Sequence, residues 1–428
     1  MTDNSLNIRR DRALGVGAEL FYQNPIEIVK GKDAYLFDRG GRRYVDLYNN
    51  VPCVGHGNAA VVRAMAEQQA TLNVHSRYLH EGIVSFAERL AGLHHDSIES
   101  VVFSCSGTEA NDVALRMARI VTGQRGIVCT DSAYHGNAGL VGALTCVGRD
   151  AGRGSEIAGF PFPNRYRPLV PEADDDALCS AYLERAAAAI HDLKAQGHGF
   201  AALIACSIFA NEGLPDIPVG FMQRLTRLVH REGGLMIADE VQSGYGRTGR
   251  WWGYEYEGFQ PDIVVMGKPM GNGLPLAATA SSREFVEAFR KETGYFNTFS
   301  STPLQAAVGM AVLDEIERLD LLRNAARVGA LLLREIGARG DAYPGIGDIR
   351  GSGLFLSIEM VKNRSGKEPD PVMATRLAER LKDAGFLLSC AGAYDNVVKI
   401  RPPLVFGEAH AAAFLEAFDH CLDGLDDR

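Results

Sequence analysis

From Val101 to Val121 the chain reads VVFSCSGTEANDVALRMARIV, and two periods meet inside that run. Val101, Val102 and Phe103 are a strand-like apolar stretch that enters the small polar turn Ser104-Cys105-Ser106-Gly107-Thr108. Beyond it Ala110, Val113, Ala114, Met117, Ala118 and Val121 recur at i, i+3, i+4 and i+7, the signature of a helix with one buried face. A buried strand passing through a glycine turn straight into a helix is the building unit of α/β sheets. The helix start directs free backbone N–H groups and the positive end of the helix dipole outward, which suits a phosphate. Ser106 and Thr108 add hydroxyl donors, and Gly107 allows close approach. The same residues also read as an ordinary N-cap.

Outward from this unit the pattern repeats. Ser100–Ser104, Gly126–Thr130, Ala201–Ser207, Leu235–Asp239 and Asp262–Met266 are short, nearly continuous apolar runs separated by amphipathic stretches. Such runs suit a parallel sheet covered on both faces. Near the N-terminus, YLFDRGGRRY (Tyr35–Tyr44) reads as a hairpin turning at Gly40-Gly41. Asp348–Met360 and Val397–Arg401 read as strands of a second, smaller sheet, set apart by helices near Ala307–Leu319, Asn324–Arg334 and Met373–Ala384. The expected fold is α/β: a large domain with a mostly parallel sheet flanked by helices (61–315), and a smaller α+β domain built from an N-terminal segment (1–60) and a C-terminal one (316–428). The acidic run Glu172 to Asp176 reads as an exposed helix start.

Composition narrows the function classes. The 428 residues are 46% apolar and 23% charged with net charge −9, so non-specific binding to nucleic acid has no electrostatic basis. No apolar run approaches the roughly 18 residues of a membrane span, and MTDNSLNIRRDR lacks the apolar region of a signal peptide. A cytoplasmic location is expected by default. The eight cysteines show no C-x-x-C spacing, which favours reduced thiols over a metal site or disulfides. His94-His95 reads as a solvated pair at a helix end. No metal is expected.

Two further segments carry chemistry. In LMIADEVQSG, an apolar strand ends in Asp239. In an open parallel sheet, ligands sit beyond the carboxyl ends of the strands, where an Asp can hold a ring nitrogen protonated; it can equally cap a helix or pair with a cation. In DIVVMGKPMGNGLP, Lys268 stands between a buried-type strand and a glycine-rich turn. The G-x-x-x-x-G-K-[ST] pattern of a P-loop is absent, which leaves a phosphate-contacting lysine or an amine that forms a Schiff base. A phosphate cradle, an acid and such a lysine are together what pyridoxal 5'-phosphate requires. Tyr134 in AYHG offers a face for the ring, with His135 and Gly136 permitting close approach; Tyr134 also reads as core packing.

The chain resembles the class III aminotransferases of the fold-type I pyridoxal-phosphate superfamily along nearly its whole length. SGTEAND (Ser106–Asp112), AYHG (Ala133–Gly136), IADEVQSGYGRTG (Ile237–Gly249), GKPMGNGLP (Gly267–Pro275) and NTFSSTP (Asn297–Pro303) carry the resemblance. It implies that Lys268 is the Schiff-base lysine and that Asp239 pairs with the pyridinium nitrogen. It places Gln242 near the ring hydroxyl, Tyr134 on the ring, and Ser106, Gly107 and Thr108 at the phosphate. Thr298 would reach the phosphate of a neighbouring subunit, which implies a homodimer with shared active sites. Within the class, NNVPCVGHGN, NVHSRYLHE, YFNTF, GDIRGSGLF and VVKIRPPL resemble the branch of alanine–glyoxylate aminotransferase 2 and the ethanolamine-phosphate phospho-lyases. The expected activity is transfer of an amino group from an amine or ω-amino acid to a small 2-oxo acid; the alternative is phosphate elimination from a phosphorylated amino alcohol.

Two departures bear on substrate. Cys206-Ser207 stands where many members have Glu-Pro, and Lys399 stands where many have the arginine that clamps a substrate carboxylate. An arginine fork fits a carboxylate bidentately and a lysine does not. Lys399 or Arg401, with Arg77, is therefore expected to form a different anion or polar pocket, unless both strand residues lie on the surface.

Overall fold

The computed structural model describes residues 5–146, 154–423 and 425. The extreme ends of the expected segments 1–60 and 316–428, and positions 147–153 of the expected segment 61–315, lie outside the described residues. A seven-stranded sheet runs in the order Ser100–Ser104, Ala277–Ser281, Ile263–Met266, Leu235–Asp239, Ala202–Cys206, Ile127–Thr130, Ile157–Phe160. The last five strands are mutually parallel. Ala277–Ser281 runs antiparallel to both its neighbours, so the sheet is mixed at that edge and not parallel throughout. Its sequence, AATAS, has small residues of low strand propensity and gave no signal; Ile157–Phe160 escaped notice for its brevity.

The two reversals at Ala277–Ser281 restore strand direction. Ala277 pairs with Ser104 and Ala278 with Met266, so both of those strands end at the same edge of the sheet. The carboxyl ends of the strands finishing at Ser104, Met266, Asp239, Cys206 and Thr130 therefore form one rim. Side chains alternate between two cores: Val264 and Met266 join one, Ile263 and Val265 the other. Burial on both faces explains why these strands read as continuous apolar runs.

Two four-stranded sheets complete the fold. In one, the hairpin Tyr35–Asp38 and Arg43–Asp46 pairs as the Gly40-Gly41 turn implies, with Ile28–Lys32 outside it. Phe386–Leu387 adds in parallel with Val45 and Asp46, which ties the N-terminal segment to the C-terminal one. The other sheet orders Ile346–Ser352, Phe355–Met360, Val397–Ile400 and Ser389–Ala391. Asp174 caps the helix Asp175–Ala195 through the Ala177 N–H, as the acidic run suggests.

His94 corrects an expectation. It is not solvated: its ring stacks on Trp252 at 4.1 Å, and its Nδ1 lies 3.1 Å from the Tyr254 hydroxyl. Burial lowers its pKa to about 3, so it packs as a neutral aromatic. Histidine spacing carries no sign of a tryptophan 158 residues away in the chain. No helix among the described residues is long and apolar enough to cross a membrane, and no cluster of metal-ligating type occurs among them.

Candidate active site

Each functional side chain is delivered by a strand end. The helix Gly107–Thr122 begins three residues after Ser104, and Ser106 caps it by accepting from the Glu109 N–H at 3.2 Å. Glu109 returns the favour, accepting from the Cys105 N–H at 2.8 Å. The cap reading thus holds for the Ser106 hydroxyl, while Gly107 and Thr108 turn into a cavity. A Cβ on Gly107 would meet both Val241 methyls at 3.0 Å, and Gly267 abuts the same point from below the Lys268 turn. Gly136 has φ +145°, and a Cβ there would lie 2.6 Å from the Thr108 hydroxyl. Glycine is required on steric grounds at that wall.

The cavity is lined by Gly107, Thr108, Asn111, Tyr134, His135, Gly136, Cys206, Asn211, Asp239, Val241, Gln242 and Lys268. Asp239, at the last position of its strand, is its sole lining acid. Asp239 Oδ2 meets His135 Nδ1 at 2.7 Å and accepts from Asn111 Nδ2 at 3.0 Å, while Oδ1 accepts from the Val241 N–H at 3.1 Å. Asn111 also donates to the His135 carbonyl at 2.7 Å. The carboxylate is thus oriented by three groups before any ligand arrives. The neighbouring Glu240 points the other way and is consumed structurally by the Ser207 and Ser243 hydroxyls and the Gly253 and Tyr254 N–H groups.

Lys268 opens a short 3₁₀ turn directly after the strand Ile263–Met266. Its amine makes no hydrogen bond among the described residues. Burial lowers its pKa, opposed by the attraction of Asp239 and assisted by Arg401. A desolvated lysine spends more time as the free amine, which is the nucleophilic form.

Behind the wall formed by Cys206 and Gln242 lie two more cations. Lys399 is 4% exposed and Arg401 is 8% exposed, which overturns the surface-residue reading of both. Lys399 donates to the Ala210 carbonyl at 2.6 Å, and burial, reinforced by Arg401, lowers its pKa to about 7. Arg401 donates through Nε to the Tyr48 carbonyl at 2.9 Å, through Nη1 to Gln242 Oε1, and stacks on the Tyr48 ring at 4.4 Å. Two of its five N–H donors are thus taken by protein acceptors, and Nη2 makes no hydrogen bond among the described residues. Among the described residues, Lys268, Lys399 and Arg401 make no ion pair. Cys206 is held as the thiol, its pKa pushed up to about 12 by burial, so it is no nucleophile at neutral pH.

Ser106, Lys399, Arg401, Arg77 and Thr298, all expected at the site, do not line this cavity. Arg77 lies on the exposed surface with its guanidinium 4.4 Å from the Phe296 ring centroid, and Thr298 is exposed two residues beyond Phe296. Three residues of the site escaped the sequence reading. Asn111 was within reach, since it sits four residues after Gly107 and so shares its helix face. Asn211, which donates to the Tyr134 carbonyl at 3.1 Å and accepts from Gln242 Nε2 at 3.0 Å, gave no local signal. Val241 was masked by the acidic pair before it.

The sequence profile of the class-III aminotransferases matches residues 19–422. An alanine–glyoxylate aminotransferase 2-like protein of Drosophila melanogaster is 37% identical over 429 residues, covering 97% of this chain and 86% of the relative. Ethanolamine-phosphate phospho-lyase homolog 1 of Caenorhabditis elegans is 34% identical over 435 residues, covering 97% and 92%. A solved phospholyase from Arthrobacter, in complex with phosphoethanolamine, superposes with a TM-score of 0.94 at 37% identity, covering 98% of this chain and 99% of that one. The cavity fits the family's cofactor, pyridoxal 5'-phosphate. It offers an unpartnered, half-buried amine at Lys268, an oriented carboxylate at Asp239 and a glycine-walled helix start at Gly107. By sequence match, fold and cavity, the chain belongs to the class-III aminotransferase family.

Proposed function

We propose that the protein is a pyridoxal-phosphate-dependent phospho-lyase acting on a short phosphorylated amino alcohol such as ethanolamine phosphate. Lys268 would hold the cofactor, Asp239 its ring nitrogen, Tyr134 and His135 its ring faces, Gln242 its ring hydroxyl, and the Ser106-Gly107-Thr108 turn its phosphate. When bound there, the cofactor supplies an electron sink for the pair left on the carbon beside the substrate amine. Lys268, once its amine is free, takes the proton from that carbon and returns it. Asp239, fixed by His135 and Asn111, keeps a proton on the ring nitrogen.

The observation that carries the choice of reaction is the state of the two cations behind Gln242. Arg401 commits its Nε–H to Tyr48 and an Nη1–H to Gln242, so only part of its fork is left for a substrate carboxylate. Lys399 is a point charge, which serves a phosphate well and a carboxylate poorly. Buried cations without carboxylate partners are costly, and an anionic substrate group offsets that cost. The likeness to the Arthrobacter phospholyase and the Caenorhabditis elegans phospho-lyase homolog supports the same reading.

Amino transfer from an amine or ω-amino acid to a small 2-oxo acid is the second reading, favoured by the Drosophila melanogaster relative. One incubation separates them. Holoenzyme given ethanolamine phosphate without any oxo acid should release inorganic phosphate and ammonia over many turnovers. A single turnover that aminates the cofactor and releases no phosphate would establish transamination instead.

The proposal extends to a cytoplasmic homodimer. Exposed Tyr78, Leu79, Phe296 and Phe299 form an apolar strip beside Arg77 and Thr298, which a second copy would cover. The eight cysteines suit a reducing compartment.

A further inference from the structure

At and beside the cavity wall the structure holds two buried polar atoms without a hydrogen-bond partner. His135 gives its Nδ1 to Asp239, yet its Nε2 is buried with no partner. Glu212 is 5% exposed; one carboxyl oxygen accepts from the Thr130 hydroxyl, and the other, Oε2, is likewise buried and unpartnered. Two bonds bring the segments that carry these side chains next to each other. Thr130 ends the strand five residues before His135, and Asn211, the neighbour of Glu212, is bonded to the carbonyl of Tyr134, the neighbour of His135. The charge of His135 is felt at Glu212.

We propose that Glu212 is a positioning residue coupled to His135 Nε2 through one buried water, and so fixes the charge that Asp239 presents to the cofactor's ring nitrogen. Two orphaned buried atoms of complementary kind are each costly alone and satisfied together. With Nδ1–H turned to Asp239, the neutral imidazole has a lone pair at Nε2, and a protonated Glu212 donates toward it across that water. If the ring carries both protons, a Glu212 carboxylate accepts from Nε2–H through the same water. In either form one proton lies between the two residues, and Asp239 remains the acceptor. Burial raises the Glu212 pKa, which favours the first form, while His135 and Lys399 oppose that rise. The titratable groups around Glu212 are His135, Lys399 and Cys206, and Cys206 is held as the neutral thiol. Glu212 does not touch the cavity; its effect passes through His135.

The inference rests on the reading that Asp239 meets the ring nitrogen, and the test separates the two. Glu212→Gln keeps the shape of the side chain and removes its proton exchange. In holoprotein the variant should shift the pH midpoint of the bound cofactor's absorbance change by about one unit and raise the cofactor Kd about tenfold. His135→Asn should do the same or more, and adding Glu212→Gln to it should change neither readout further, since a residue acting through another is not additive with it. An unchanged midpoint and Kd in Glu212→Gln, or additive effects in the double variant, would overturn the proposal. So would a changed substrate KM with an unmoved midpoint, because that assigns Glu212 to Lys399. If Asp239→Asn itself left the absorbance unmoved, the underlying reading of Asp239 would fall first.

Discussion

Replacing Lys399 with Met should stabilise the protein while it weakens the substrate. Lys399 is buried, and its pKa stands at about 7 against an ordinary 10.5. At about 1.4 kcal/mol for each tenfold, that gap bounds the cost of carrying the charge inside the fold at about 5 kcal/mol. The sign follows from proton binding. Below pH 7 both folded and unfolded lysines are protonated and the full penalty applies. Between 7 and 10.5 the folded lysine is neutral while the unfolded one is charged, so stability rises with pH across that window. Met removes the penalty but leaves the Ala210 carbonyl without its donor, at a cost of about 1–3 kcal/mol. The variant without cofactor should therefore be more stable than wild type by about 2–4 kcal/mol at pH 7, and the advantage should vanish near pH 9 to 10. Thermal unfolding of both apoproteins from pH 6 to 10 measures this. In parallel, KM for a phosphorylated amine should rise about 30-fold or more at pH 7, the loss of one charge–charge contact in a partly dry site. Wild-type KM should itself climb as pH passes 7, and that slope should be missing from the variant. A variant less stable than wild type at pH 7, or a stability gap indifferent to pH, would refute the reasoning.

Other substitutions probe the remaining walls. Gly136→Ala puts a methyl 2.6 Å from the Thr108 hydroxyl at a φ of +145°, so cofactor Kd, read by absorbance titration, should rise at least about tenfold, with about 1–3 kcal/mol of stability lost. Asp239→Asn keeps the volume and removes the charge; kcat should fall by roughly 10²–10⁴-fold in steady-state assays, with the fold intact by circular dichroism. Arg401→Met frees the Tyr48 carbonyl and Gln242 Oε1 together, and urea unfolding should register a loss of about 2–4 kcal/mol. Holoprotein treated with a thiol reagent in its native state should leave Cys206 unmodified, because burial keeps its pKa at about 12.

What the sequence displayed and what it hid follow from range. The Ser104–Gly107 turn, the strand ending in Asp239 and the turn at Lys268 are each local, a strand period interrupted by glycine and one out-of-place polar residue. Parallel register then brings them to one rim without further instruction. The antiparallel Ala277–Ser281, one strand in from the sheet edge, was invisible because small residues such as those of AATAS fit between covered faces yet carry no strand signature. The Arg401–Gln242 bond spans 159 positions and the Asn211 bridge to Tyr134 spans 77, distances over which no period survives. Lys399 showed itself only as a departure from an expected arginine; its burial had to come from the packing of Val397–Ile400 between Phe355–Met360 and Ser389–Ala391.

Two lysines with lowered pKa values, half-buried Lys268 in the cavity and buried Lys399 behind it, stand at this site, and only one can carry the cofactor. Reduction of native holoprotein with borohydride, followed by proteolysis and mass mapping, records which amine was covalently engaged. The account predicts the cofactor's mass on the peptide containing Lys268 alone. Its mass on the Lys399 peptide, or on neither, would contradict it.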